Sequence, residues 1–411
     1  MEAVQVETIE RQDHQQSNKG TTFLRTCFNG LNTLAGIGLL STPYALSEGG
    51  WLSLLFLFAL AVLFFYTGLL IHRCMEANPL IRTYPDIGGL AFGWKGRTLI
   101  SIFMYLELYF AAVEFLILGG DSFEKLFPNT TLFAGVKLSV KQGFTVLSAL
   151  VVLPTTWLKS LGLLSYVSAC GVFASIAVIC CVFWVGAVDG VGFHERGVLF
   201  HRSGLVTAVS MYAFCYCGHP VFPTLRNSMK DRSQFPKVLI NCFFLSCLGY
   251  GSMAVLGYLM YGQNIKSQVT LNLPLRNISS QIAIYTTVIN PLTKYAVIIT
   301  PVAAAIEEKL SCFITSRLIS LVIRTALVLS TLVVALTIPF FDSVMAFIGS
   351  FFGVVVAILF PCLCYLKLNG PWRRLGLELI ILALVLLVGS LIGTVGTYNS
   401  VRRIIRDLRG E

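Results

Sequence analysis

The sequence predicts an all-α polytopic membrane protein of eleven transmembrane helices, built as two inverted five-helix repeats plus one extra C-terminal helix. Three observations carry that expectation. The 411 residues are 56% hydrophobic and only 12% charged, whereas a soluble domain carries about 25% charge. Apolar runs recur at the length a bilayer core demands, about 20 residues per helix. Two of those runs are interrupted by glycine and proline at matching positions, about 180 residues apart.

The runs lie near 22–47, 51–74, 98–125, 142–158, 161–188, 203–228, 236–261, 278–305, 316–338, 341–366 and 375–398. The fourth is short. No basic-then-apolar signal with a small-residue cleavage site precedes the first run, so that run is expected to insert as an uncleaved anchor. Placing the N-terminus in the cytosol follows the positive-inside bias. Loops with Arg73, Arg82, Lys95, Arg97, Lys159, Arg226, Lys230, Arg232, Lys309 and Arg317 then fall on the cytosolic side. The other side holds fewer basic loop residues, Lys125, Lys137, Lys141, Arg196, Arg202, Lys266 and Arg276. A tail with Arg402, Arg403, Arg406 and Arg409 goes against the rule. The net charge of +10 is spread singly over loops, so it marks topology and not a nucleic-acid surface. Two N-x-[ST] sequons, at Asn129 and Asn277, share the non-cytosolic side and are weak glycosylation candidates.

An offset of about 180 residues carries Gly38 onto Gly218, Pro43 onto Pro223, and the third and fifth runs onto the eighth and tenth. Each unit holds five spans. Five is odd, so the second unit enters the membrane inverted. The expected organisation is a cytoplasmic tail (1–21), a first repeat (22–188), a second repeat (203–366), an eleventh helix (375–398) and a C-terminal tail (399–411). Inverted repeats with interrupted spans at equivalent positions point to a secondary transporter.

The interruptions say where its site is. In NTLAGIGLLSTPYAL (32–46), Gly36, Gly38 and Pro43 fall within eight residues. Against alanine, glycine costs a helix about 1 kcal/mol and proline about 3 kcal/mol. The counterpart is CYCGHPVFP (215–223). Unwound backbone survives at membrane depth only when buried in protein or lining a cavity. There, a half-helix N-terminus can hold a carboxylate and freed carbonyls an ammonium. A small zwitterion such as an α-amino acid suits both. The candidate substrate residues are Asn32, Gly36, Ile37, Gly38, Tyr109, Cys217, Gly218 and His219.

Intramembrane charges are costly and mark function by default. Glu107 and Glu114 stand seven residues apart on one face of the third span, and Lys294 lies deep in the eighth, at the position equivalent to Glu114. At least one of Glu107, Glu114 and Lys294 is expected to titrate during transport; a static Glu–Lys pair is the alternative. His219 has an ordinary titration range near pH 6.5. It is either a proton sensor or a neutral hydrogen-bonder that shapes the pocket. Most of the twelve cysteines lie inside apolar runs without zinc-ligand spacing, so no metal is expected. No P-loop and no enzyme signature is present, and no cofactor beyond a proton gradient is called for.

Four stretches carry a resemblance: FNGLNTLAGIGLLSTPYALSEGGW (28–51), TYPDIGGLAFGWKGR (83–97), GHPVFPTLRNSMKDRSQFPKVL (218–239) and NPLTKYAVIITPVA (290–303). With them the chain resembles the amino acid/auxin permease family, within the LeuT-like transporters, and most of all its plant and fungal vacuolar amino acid branch. Many members of that branch have a long acidic, Ser-rich N-terminal segment, where about twenty residues stand here. The resemblance implies eleven spans, a substrate site between the first and sixth, and proton-linked transport of neutral or broadly varied amino acids, as exchange at the vacuolar membrane. In sodium-coupled relatives of the wider fold a cation sits between the first and eighth spans, and the Lys294 ammonium could replace it. A plasma-membrane symporter of amino acids or auxin, and an amino acid sensor with little flux, are the alternatives.

Overall fold

The computed structural model describes residues 20–78, 81–130, 138–157, 164–311, 317–369 and 376–410. The expected N-terminal tail lies outside the described residues except for its last two, as do Lys137 and Lys159. Every regular element among the described residues is a helix. We number them α1 (Phe23–Leu34), α2 (Gly38–Gly49), α3 (Ser53–Ala77), α4 (Tyr84–Leu126), α5 (Val140–Thr156), α6 (Leu164–Ala187), α7 (Leu205–Cys215), α8 (Phe222–Ser228), α9 (Phe235–Tyr261), α10 (Ile278–Ser311), α11 (Arg317–Thr337), α12 (Phe341–Asn369) and α13 (Leu377–Arg409). Among the described residues nine helical segments are long and apolar enough to cross a membrane, with α7 and α8 taken as one. The α5 helix is shorter, at 17 residues, and α1 and α2 are 12 each.

The first and sixth apolar runs are both broken. α1 ends at Leu34, Ala35 leaves helical geometry (ψ 70°), and α2 restarts at Gly38. α7 ends at Cys215, and a 3₁₀ turn (His219–Val221) leads into α8. Pro43 lies inside α2 and cannot donate to the Leu39 carbonyl one turn back. The Thr42 hydroxyl donates to that carbonyl instead, at 3.1 Å. α12 winds through π turns from Ile348 to Leu359. A Cβ on its Gly349 would stand 2.1 Å from the Ser210 carbonyl of α7, so this close helix contact requires glycine.

The stretch 84–97 begins at a Thr83–Asp86 capping box as a short helix and turns at Gly93, with φ 68°, into the helix of the third span; the two carry one label, α4. One boundary differs from the sequence expectation: the last helix continues to Arg409 instead of ending at 398. Its final turns alternate charge with Val401, Ile404, Ile405 and Leu408, a helical period that charge counting alone obscures.

That C-terminal extension is tied to the end of α2. Arg403 pairs with Glu48 of α2 at 3.2 Å and with Asp342 of α12 at 2.8 Å. Tyr44 donates to Asp342 at 3.2 Å and also meets Arg403. On the opposite side, Arg226 of α8 donates from Nε to His72 Nδ1 of α3 at 3.0 Å.

Candidate functional site

The broken junctions meet near the middle of the molecule. α2 packs on α7 so closely that a Cβ on Gly38 would stand 2.7 Å from the Cys215 sulfur. α9 lies along both α1 and α2, and α10 packs on α4 and α6. Between α2, α4, α6 and α10 a cavity of about 30 Å³ remains. One side is apolar, formed by Ile37, Leu40, Phe115, Leu118 and Val178. The other carries Ser175, Thr286, Thr287, Asn290 and Lys294, beside Pro291. One water needs roughly 10–15 Å³ of such space, so this state has room for about two waters and none for an amino acid.

Lys294 is 8% exposed. Its Nζ points at the Asn32 carbonyl in the last turn of α1, at 3.4 Å. The C-terminal carbonyls of a helix form its negative pole, so the ammonium is placed where α1 favours a cation. The Asn32 Oδ1 atom is buried without a partner. Gly171 of α6 makes room for that side chain, because a Cβ there would overlap Asn32 Oδ1 and come within 3.2 Å of Lys294 Cε.

The structure separates the sequence-predicted residues into groups. Gly36, Ile37 and Lys294 line the cavity, with Asn32 beside it. Gly38 faces α7. Cys217 and Gly218 lie within the second break, where Cys217 meets Glu107 of α4 and Gly218 packs on Leu34. Tyr109 turns away, its hydroxyl donating to Ser330 Oγ of α11 at 3.1 Å. His219 is fully buried against α3, with Nε2 3.1 Å from the Phe64 carbonyl and 2.9 Å from Thr67 Oγ1. A carbonyl only accepts, so the proton of the neutral ring belongs on Nε2. That arrangement is a brace between the second break and α3.

Glu114 is fully buried and neither carboxyl oxygen has a hydrogen-bond partner; Glu107 has one such oxygen. Among the described residues Glu114 and Lys294 form no ion pair. The two sequons differ as well. Asn129 is exposed, whereas the Asn277 Nδ2 atom, which a glycan would need, is buried.

A model of the transmembrane amino acid transporter proteins matches residues 19–402. The chain belongs to this transporter family. It is 48% identical over 395 residues to amino acid transporter AVT1J of Arabidopsis thaliana, covering 95% of this chain and 93% of that protein. To AVT1I of the same plant it is 49% identical over 399 residues, covering 96% and 98%. AVT1E, also from that plant, is 46% identical over 397 residues, 96% of this chain and 75% of that one. Among solved structures, MhsT in complex with L-phenylalanine superposes with a TM-score of 0.59 over 90% of this chain and 98% of its own, at 13% identity. That likeness establishes a LeuT-like fold. The family is one of transporters, not enzymes.

Within this transporter family fold, several site residues escaped the sequence reading. Ser175, Thr286, Thr287 and Asn290 were hidden because small polar residues are common in apolar helices. Tyr250 of α9 was hidden by its apolar neighbours. Its hydroxyl lies 2.9 Å from the Cys215 carbonyl and also reaches that of Leu34.

Proposed function

We propose that the chain is a proton-coupled transporter of neutral amino acids that exchanges protons for substrate at the vacuolar membrane, with its N-terminus in the cytosol. The reading takes α1–α2 as one broken span and α5 as a short one. With the nine longer spans this makes eleven helices in two inverted repeats and one addition. A single observation carries it: matched breaks about 180 residues apart, with the Lys294 ammonium at the C-terminal pole of α1. The neighbouring N-terminus of α2 supplies a positive pole for a carboxylate. The apolar wall of Ile37, Leu40, Phe115, Leu118 and Val178 suits an uncharged side chain.

Lys294 acts in place of a sodium ion. Protonated, it holds the end of α1 against α10; when it loses its proton, that hold is released and α1 can swing. Glu114 and Glu107 are the buried carboxyls along which a proton could be accommodated on α4. One bundle then rocks against the other around the breaks. The test is uptake of labelled neutral amino acids into sodium-free liposomes holding the purified chain. Uptake into acid-inside vesicles, collapsed by a protonophore, is expected. Uptake only into alkaline-inside vesicles would favour symport. Binding without any flux would favour a sensor.

A further inference from the structure

The two breaks are fastened to each other from behind the cavity by one side chain. Tyr250 is 1% exposed. Its hydroxyl is placed between the carbonyl of Leu34, the last residue of α1, and that of Cys215, the last residue of α7, the latter at 2.9 Å. These are nearly equivalent positions of the two broken spans. The ring is fixed edge-on against Tyr216, with centroids 5.5 Å apart and planes at 78°. Neither Tyr250 nor these two carbonyls line the cavity, which faces α4, α6 and α10. His219 braces the second break in the same manner from α3.

We infer that Tyr250 is a positioning residue of the substrate site: its hydroxyl holds the ends of α1 and α7 together, so that both breaks present one preformed cradle and move as one body. The inference rests on the reading that an amino acid binds at the breaks. A hydroxyl has one proton, so it donates to one carbonyl at a time while staying close to the other. Without it, the two helix-end carbonyls lose their common partner: that of Leu34 keeps the Gly36 N–H at 2.7 Å, and the Cys215 carbonyl is free to turn toward another donor. A cradle that must be reassembled by the substrate binds it more weakly, because ordering is then taken out of the binding free energy. The turnover of a complex already formed is affected less.

Tyr250→Phe tests this, since it keeps the ring and its contact with Tyr216. Wild type and variant are reconstituted in sodium-free liposomes. Exchange uptake is measured with whichever labelled neutral L-amino acid the wild type carries fastest. The expected result is a KM raised about tenfold, and at least threefold, with maximal rate within about twofold and an unchanged dependence on the pH gradient. A role in folding alone would lower maximal rate and the yield of monodisperse protein at constant KM. A KM that stays within threefold, or falls, overturns the inference. Wild-type protein that neither binds nor carries any neutral amino acid overturns the functional reading itself, a result separate from the comparison of variant and wild type.

Discussion

At the scale of single residues, several of the candidate site and coupling groups are deeply buried and under-partnered. Glu114 has no partner for either oxygen, and Asn32 Oδ1 has none. Lys294 has one long contact. Buried polar groups are nearly always satisfied, so these groups are the ones whose substitution tests the proposed coupling most directly. Glu114→Gln keeps shape and removes the titratable group. It should leave amino acid exchange at equal pH within a fewfold of wild type and abolish its acceleration by an acid-inside gradient, read as initial uptake rates with and without the gradient. Lys294→Ala should reduce gradient-driven uptake at least tenfold at normal expression. Gradient-driven uptake that survives intact in the variant would remove Lys294 from the coupling.

At the scale of helices, two contacts carry specific expectations. Gly349 lets α12 touch the backbone of α7, and overpacking a close contact costs about 1–3 kcal/mol. Gly349→Ala should therefore lower the thermal unfolding midpoint in detergent by several degrees. Arg403 sits between Glu48 and Asp342, joining the ends of α2, α12 and α13. Arg403→Gln should also lower the midpoint, because two carboxylates then lose their common cation. Adding Asp342→Asn should restore part of the loss, as coupled neighbours do. The helices themselves were largely legible in the sequence: runs of apolar residues near bilayer length give the approximate ends of the nine described segments long enough to cross a membrane. The breaks were legible too, since Gly36, Gly38 and Pro43 weaken a helix wherever they fall. Side-chain direction was not. His219 falls at the second break and Tyr109 on the third run, yet one faces α3 and the other α11. Spacing within one helix does not say which neighbour a given face will meet. Tyr250, set among apolar neighbours, was invisible as well, because its partners are backbone carbonyls, which no sequence pattern marks.

At the scale of the whole molecule, the cavity of about 30 Å³ is too small for an amino acid. Transport then requires the elements that line it to separate. α1 and α2 are fastened to α7 and α9 on one side, through Tyr250 and the Gly38–Cys215 contact. Toward α10 the contact of α1 is the Lys294 ammonium on a carbonyl at 3.4 Å. The weaker seam is the one toward α10, and in the proposed mechanism it is the one a proton opens. The most direct test loads the purified chain into liposomes with a trapped pH-sensitive dye, in sodium-free buffer at equal pH, and adds a mixture of neutral L-amino acids outside. Exchange predicts that the interior becomes more alkaline as substrate enters, in proportion to its uptake and irrespective of how the molecules are oriented in the bilayer. Accumulation of label with no change in internal pH would contradict proton coupling, and with it the role given to Lys294.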